Sequence, residues 1–246
     1  QIIRRYQALL ESCRGAVVAI GNFDGVHLGH RGVIGGAAEL ARAKGVSLAV
    51  LTFEPHPIMV LRPKTSPRRL SPFRVKVRRL RECGVEILYM LPFSTDFSKK
   101  TPENFVREVL VDGLGVHHVV VGHDYRFGKG RAGDAEFLVH AGEALGFGVT
   151  EVSPIGSAGG LYSSTRVRSY LRRGEPHLAA AILGHMWEVE ARVVHGDARG
   201  RELGYPTANI EFRDHVVPGY GIYAVWCGVI SKEKTEWYAA VANVGI

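Results

Sequence analysis

Two histidines, His27 and His30, stand three residues apart around Gly29. They follow an apolar run, 16–20 (Ala-Val-Val-Ala-Ile), and a turn made of Gly21, Asn22, Phe23, Asp24 and Gly25. The run reads as a buried strand that breaks at the glycines, and helical periodicity begins near Val33. Strand, loop and helix in that order leave unpaired N–H groups and the positive end of a helix dipole at the junction, a cradle for phosphate. At this spacing both imidazoles can point at one phosphoryl group while charge develops on it, as donors rather than bases. The pattern is neither Gly-x4-Gly-Lys-Ser/Thr nor Gly-x-Gly-x2-Gly, which argues against an ordinary kinase loop or a dinucleotide fold. Two other readings stay open: half of a zinc site, lacking a second His/Cys pair at metal spacing, and polar loop histidines without chemistry.

Three further stretches could join them. In Glu54-Pro55-His56-Pro57 the prolines fix a rigid loop at the end of a β-rich run, 47–53. Gly122-His-Asp-Tyr-Arg-Phe-Gly128 sets Asp124, Tyr125 and Phe127 between glycines. That composition suits a flat heteroaromatic ring held edge-on by a carboxylate, and equally a glycine turn with core aromatics. Ser163, Ser164 and Thr165 precede Arg166 and Arg168 and read as an N-cap cluster, where hydroxyls, free N–H groups and guanidinium meet at a helix start. Capping alone would also explain them.

These stretches need a scaffold that brings them together. Helices at 33–44, a basic segment ending near 83, 102–114 and 134–145 alternate with strands at 16–20, 47–53, 85–91, 116–121 and about 147–152. Such alternation predicts an α/β fold with a parallel sheet, right-handed crossovers and helices on both faces. Ligands then bind beyond the C-terminal strand ends, and all four polar stretches follow strands. After a helix at 175–183, Gly184 marks a break, and the texture changes to short β-rich segments at 187–194, 205–210, 221–230 and 237–244. They predict a small antiparallel β-barrel module. Within it Gly196, Arg199, Gly200, Arg201 and Gly204 precede Pro206, Thr207 and Asn209, a glycine and arginine loop able to wrap phosphates beside two oxygen ligands for Mg²⁺. A hairpin loop with a polar strand face is the alternative.

Across 246 residues, 46% hydrophobic and 22% charged content fit a folded globular chain, and no apolar run approaches the ~18 residues of a membrane span. Three cysteines without a shared motif suit free thiols and a cytoplasmic setting. The net charge of +7 favours anionic partners. Basic residues crowd 62–81, read as a solvated helix face in preference to a nucleic-acid patch.

Gly21-Asn-Phe-Asp-Gly-Val-His-Leu-Gly-His30 resembles the first motif of the bacterial bifunctional riboflavin kinase/FMN adenylyltransferase family, and the stretches at 52–57, 122–128 and 163–168 match further motifs in order. Arg199-Gly-Arg-Glu-Leu-Gly-Tyr-Pro-Thr-Ala-Asn-Ile210 is similar to the riboflavin kinase module. The resemblance implies a Rossmann-like nucleotidyltransferase domain over 1–183 and a kinase module over 184–246. It implies transfer of AMP from ATP to FMN, giving FAD and pyrophosphate, with Mg²⁺ as the metal. It puts His27, His30 and Arg168 on the ATP phosphates. Gly21, Asn22, Phe23, Asp24, Gly25, Gly29, Ser163, Ser164 and Thr165 are expected around ATP; Pro55, His56, Pro57, Asp124, Tyr125 and Phe127 around the flavin; Thr207 and Asn209 at Mg-ATP in the second module. The expected partners are small nucleotides and flavins, with no nucleic acid and no membrane. Two departures stand out. Leu183-Gly-His-Met-Trp187 replaces the family's Leu-Gly-Arg-Pro-Tyr, and the chain ends where the family continues, which places the kinase's general-base glutamate beyond residue 246 and leads one to expect little riboflavin phosphorylation. An adenylyltransferase acting on another phosphate ester and a non-catalytic flavin or nucleic-acid binder are the competing functions.

Overall fold

A computed structural model describes residues 1–196, 204, 207–213, 215–231 and 234–245. Six strands, β1 (Ile2–Ile3), β2 (Val17–Ile20), β3 (Leu48–Glu54), β4 (Ile87–Pro92), β5 (His118–Gly122) and β6 (Gly148–Val152), form one sheet in the order β1-β4-β3-β2-β5-β6. Every pairing in it is parallel. The chain builds from β2 toward β4 on one side and then returns to place β5 on the other, so the strand order reverses at β2, where loops diverge and leave a crevice.

The helices are α1 (Leu28–Lys44), α2 (Pro57–Leu61), α3 (Phe73–Glu82), α4 (Pro102–Asn104) continuing into a π-helical stretch at Phe105–Leu114, α5 (Ala135–Leu145), α6 (Ser164–Arg172) and α7 (Pro176–Leu183). Side chains alternate across each strand. Val17, Ala19, Val50, Leu88 and Val120 pack with Ile34, Ala37 and Ala41 of α1 and Leu80 of α3. Val18, Ile20, Leu51, Tyr89, Val119 and Val121 pack with Val109, Leu110 and Leu114 of the π-helical stretch and Leu138 of α5. The central strands are thus buried on both faces, as a parallel sheet requires. A third cluster joins α6 and α7 to Leu70, Val216 and Trp187.

Four features differ from the sequence reading. Helix α1 begins at Leu28 rather than near Val33, because His27 caps it through its side chain, and the glycine-rich first turn hides the apolar period. Strand β1 and the hairpin of β7 (Gly156–Ser157) with β8 (Gly160–Leu161) are two-residue strands too short to show alternation. In the second module, β9 (Val193–Val194) pairs antiparallel with β10 (Asn209–Ile210), and β11 (Gly221–Ile230) pairs antiparallel with β12 (Thr235–Val244). Among the described residues these are two separate two-stranded sheets, not a closed barrel. Residues 187–192, expected to be strand, have no ladder, and two of their side chains, Glu188 and Glu190, bind α3. Arg78 Nη2 and Arg79 Nη2 each lie 2.7 Å from a Glu188 carboxylate oxygen, and Arg74 Nη1 lies 3.3 Å from Glu190. The basic helix face is therefore a seat for the segment linking the modules rather than a wholly solvated surface.

Candidate active site

The turn between β2 and α1 is held from three directions by Asp24. Its buried carboxylate accepts the backbone N–H groups of Leu70 and Ser71 at 3.0–3.1 Å and pairs with Arg168 Nη2 at 2.6 Å. Its backbone carbonyl accepts the hydroxyl of Ser164 at 2.9 Å. The constraint matters because Phe23, Gly25 and Val26 have φ of 48°, 87° and 43°. Left-handed backbone suits glycine but strains a β-branched residue such as valine, so neighbouring contacts must impose it.

The same turn sets the two histidines. His27 Nδ1 accepts the N–H of His30 at 3.2 Å, which leaves the proton of the neutral ring on Nε2, facing away from the helix. The rings of His27 and His30 stack with centroids 3.6 Å apart. A side chain at Gly29 would put its Cβ 3.1 Å from the His27 ring and 3.3 Å from the Tyr162 carbonyl, so it would press on the stacked ring. Burial pulls the pKa of His27 down to about 4 against the attraction of Asp24 and Asp124. Burial first, then His27, Lys76 and Arg168, hold His30 well below the ordinary range. Both rings are neutral at pH 7 and offer N–H donors, not charge. Nδ1 of His30 is buried without a partner among the described residues, a polar atom waiting for one.

Arg168 also donates from Nε to the Arg68 carbonyl at 2.7 Å, and its Nη1 has no protein acceptor among the described residues. Ser163 caps α6 by accepting the N–H of Arg166 at 3.3 Å, and Thr165 is exposed at the first turn. Pro55 follows a cis peptide bond, and Pro57 opens α2. His56 caps that helix through Nδ1, and burial lowers its pKa to about 4 while Lys76, Arg168 and Arg69 repel a proton. Asp24, His27, His30, His56 and Arg168 thus share one electrostatic neighbourhood.

The third loop is divided. Asp124 is exposed and acts electrostatically on His27. Phe127 is buried in the core against Phe105 and Phe137, with Tyr125 stacked on it at 5.5 Å, so these aromatics follow the core alternative more closely than an open ring clamp. Asn22 is exposed, and its carbonyl takes donors from Thr52 and Lys76.

Sequence reasoning missed four participants. Lys76 lies on α3 and is buried beside Asn22. Arg69 pairs with Glu54 at 2.7 Å. His185 Nε2 lies 3.1 Å from the Gly25 carbonyl, and Trp187 Nε1 donates to the Leu70 carbonyl at 2.9 Å. Only the helical phase of Lys76, set apart from Arg74, Arg78 and Arg81, hinted at the first. In the second module Gly196, Gly204, Thr207 and Asn209 are exposed, and the Asn209 amide packs on Gly196. Asn209 begins β10, whereas Thr207 precedes it in irregular backbone. Arg199, Gly200, Arg201 and Pro206 lie outside the described residues.

A parallel sheet whose strand-end loops gather neutral histidines, an arginine and a helix start defines an α/β domain of the nucleotidyltransferase kind. The FAD synthetase family model matches residues 10–166, and the riboflavin kinase family model matches residues 183–246. The bifunctional riboflavin kinase/FMN adenylyltransferase of Escherichia coli K12 is 42% identical over 231 residues, covering 94% of this chain and 73% of its own length. Those of Pseudomonas fluorescens and Bacillus subtilis 168 are 38% and 36% identical over 246 residues, covering 100% and 99% of this chain and 78% and 76% of their own. The chain belongs to the bifunctional riboflavin kinase/FMN adenylyltransferase family, and it is an enzyme with both domains. A crystal structure of a Streptococcus pneumoniae protein titled macrolide-efflux protein superposes with a TM-score of 0.79 at 29% identity, covering 99% of this chain and 84% of that one. Among the described residues no helix here is long and apolar enough to cross a membrane. The kinase match runs over 183–246 itself and gives no support to setting that module's catalytic part beyond residue 246.

Proposed function

We propose that the site around His27 and His30 transfers AMP from ATP to FMN, giving FAD and pyrophosphate, and that 1–183 and 184–246 are the adenylyltransferase and riboflavin kinase units. The observation that carries the reading is the stacked, neutral pair of histidines at the start of α1 beside Arg168. An FMN phosphate oxygen attacks the α-phosphorus, the bond to the bridging oxygen breaks, and pyrophosphate leaves with the electron pair. The nucleophile is already anionic near neutral pH, so the protein's task is alignment and charge stabilisation rather than deprotonation. N–H donors of His27 and His30, Nη1 of Arg168 and the first turn of α1 supply that. Gly21 and Gly25 allow close approach of the backbone, while Pro55 to Pro57 and Asp124 border the place for the flavin.

In the second module, Thr207 and Asn209 offer neutral oxygen donors suited to Mg²⁺. Both are uncharged, and nucleotide phosphates would supply the charge that holds the ion, as Mg²⁺ sites commonly arrange. The ion when bound would neutralise phosphate charge during riboflavin phosphorylation. A closed barrel around these strands is part of the same reading. Cys13, Cys83 and Cys227 are free thiols, which supports a reducing, cytoplasmic setting.

The test is incubation with ATP, Mg²⁺ and either FMN or riboflavin, with products identified by chromatography. FAD from FMN is expected; its absence from a folded, FMN-binding protein would refute the first activity. His30→Ala should lower turnover about a hundredfold, ~3 kcal/mol of transition-state stabilisation. A rise in the Michaelis constant with turnover intact would make His30 a ground-state binder instead.

A further inference from the structure

Helix α3 carries Arg74, Lys76, Arg78, Arg79 and Arg81, and it divides them between two environments. The arginines at 74, 78 and 79 meet Glu188 and Glu190. Lys76 turns the other way and is 5% exposed. Its Nζ donates to the Asn22 carbonyl at 3.0 Å, and the same oxygen accepts the Thr52 hydroxyl at 3.2 Å. An ammonium has three N–H groups, and among the described residues only that carbonyl receives one.

The neighbouring carboxylates are already engaged. Asp24 pairs with Arg168 at 2.6 Å, and Glu54 pairs with Arg69 at 2.7 Å. Burial lowers the Lys76 pKa, and Asp24 and Glu54 oppose that at longer range without bonding its Nζ. Its charge acts on His30 and His56, so it lies in the same neighbourhood as the phosphate donors. Burying an ammonium bonded to no carboxylate is unfavourable, and methionine would fill the space without that penalty. A hydrogen bond to Asn22 needs only a neutral donor. An anion arriving with the substrate would accept the two remaining N–H groups of Lys76 and favour the charged form.

We infer that Lys76 is a phosphate-binding residue of the adenylyl-transfer site, whose ammonium reaches past the turn at Asn22 to the polyphosphate of the nucleotide. The inference rests on the adenylyl-transfer reading. While pyrophosphate departs with the electron pair of the broken P–O bond, Lys76 neutralises part of the charge it gains, alongside the neutral histidine donors and Arg168.

The test compares Lys76→Met, Lys76→Gln and Lys76→Arg with the unaltered chain, each checked by melting temperature. Two readouts are used: FAD formation from FMN and Mg-ATP, and calorimetric binding of inorganic pyrophosphate, which needs no turnover. Lys76→Met should keep or raise the melting temperature, lower kcat/KM for ATP about a hundredfold and weaken pyrophosphate binding at least tenfold. Lys76→Gln keeps a donor for the Asn22 carbonyl and should stay as impaired as Lys76→Met. Lys76→Arg should recover part of both signals. Recovery by Lys76→Gln, or pyrophosphate binding unchanged in folded Lys76→Met, would overturn the inference and leave Lys76 as a support for the turn. If the unaltered chain makes no FAD, the adenylyl-transfer reading fails on its own, and the pyrophosphate comparison still decides whether Lys76 binds the anion.

Discussion

The turn at 21–30 and the stretch at 196–210 are both glycine-rich segments proposed to hold nucleotide phosphates, yet they are built in opposite ways. The first is buried from Phe23 to His27, braced by Asp24 to residues 70–71 and to α6, and carries two histidines held in contact. Of the second, the described residues Gly196, Gly204, Thr207 and Asn209 are open to solvent, with a two-residue ladder at Asn209–Ile210. Preorganised donors cost no rearrangement when charge develops, which suits a site whose chemistry is electrostatic stabilisation. An exposed segment places its ligands only by virtue of what binds between them. The difference teaches that glycine content marks where backbone can approach a phosphate, while the surrounding core decides whether the geometry exists beforehand.

The largest test of this contrast is Asp24→Asn. An amide cannot accept the Leu70 and Ser71 N–H groups and also neutralise Arg168, so a buried guanidinium loses its counter-ion. Chemical denaturation should show a loss of about 3–5 kcal/mol, together with loss of FAD formation. A loss under ~1 kcal/mol would mean the turn is not braced as described.

Acid should sharpen the contrast next. With His27 at about 4 when folded and 6.5 as the ordinary value, both states are neutral above pH 6.5. Between pH 6.5 and 4 the unfolded chain takes up the proton and the folded chain does not, so stability falls as pH falls. His27 alone should account for roughly 3 kcal/mol by pH 4, with His30 and His56 adding in the same direction. Denaturation midpoints across this window should fall less steeply in His27→Asn; equal slopes would show that the ring is not held neutral by burial.

The smallest effect belongs to the second segment. Thr207→Ala with Asn209→Ala should change stability by less than ~0.5 kcal/mol, as exposed substitutions do. Riboflavin phosphorylation should drop while FAD formation from FMN is unchanged. Equal loss of both activities would mean that the two segments serve one site.

Much of the scaffold is local information. The apolar run before Gly21, the proline-fixed loop at 54–57, the Asp134 cap of α5 and the Ser163 cap of α6 depend on residues within a few positions of one another, so periodicity and residue type place them. So do the gathering of four loops at the strand ends and the spacing of His27 and His30, because parallel alternation leaves few topologies. The partners of those residues are not local. Asp24 meets Arg168 across 144 positions, Lys76 meets Asn22 across 54, and Trp187 meets Leu70 across 117. No short-range pattern encodes which of several arginines and lysines is buried, since that depends on how α3 and α6 pack on the loops between them. Phe127 makes the same point in reverse: its motif suits ring binding, and packing against Phe105 and Phe137 draws it into the core. The sequence by itself determined the parallel α/β scaffold, the histidine pair and the family. Only the tertiary structure decided which charged side chains are buried and which groups they meet, because burial and ion pairing depend on distances that the order of residues does not contain.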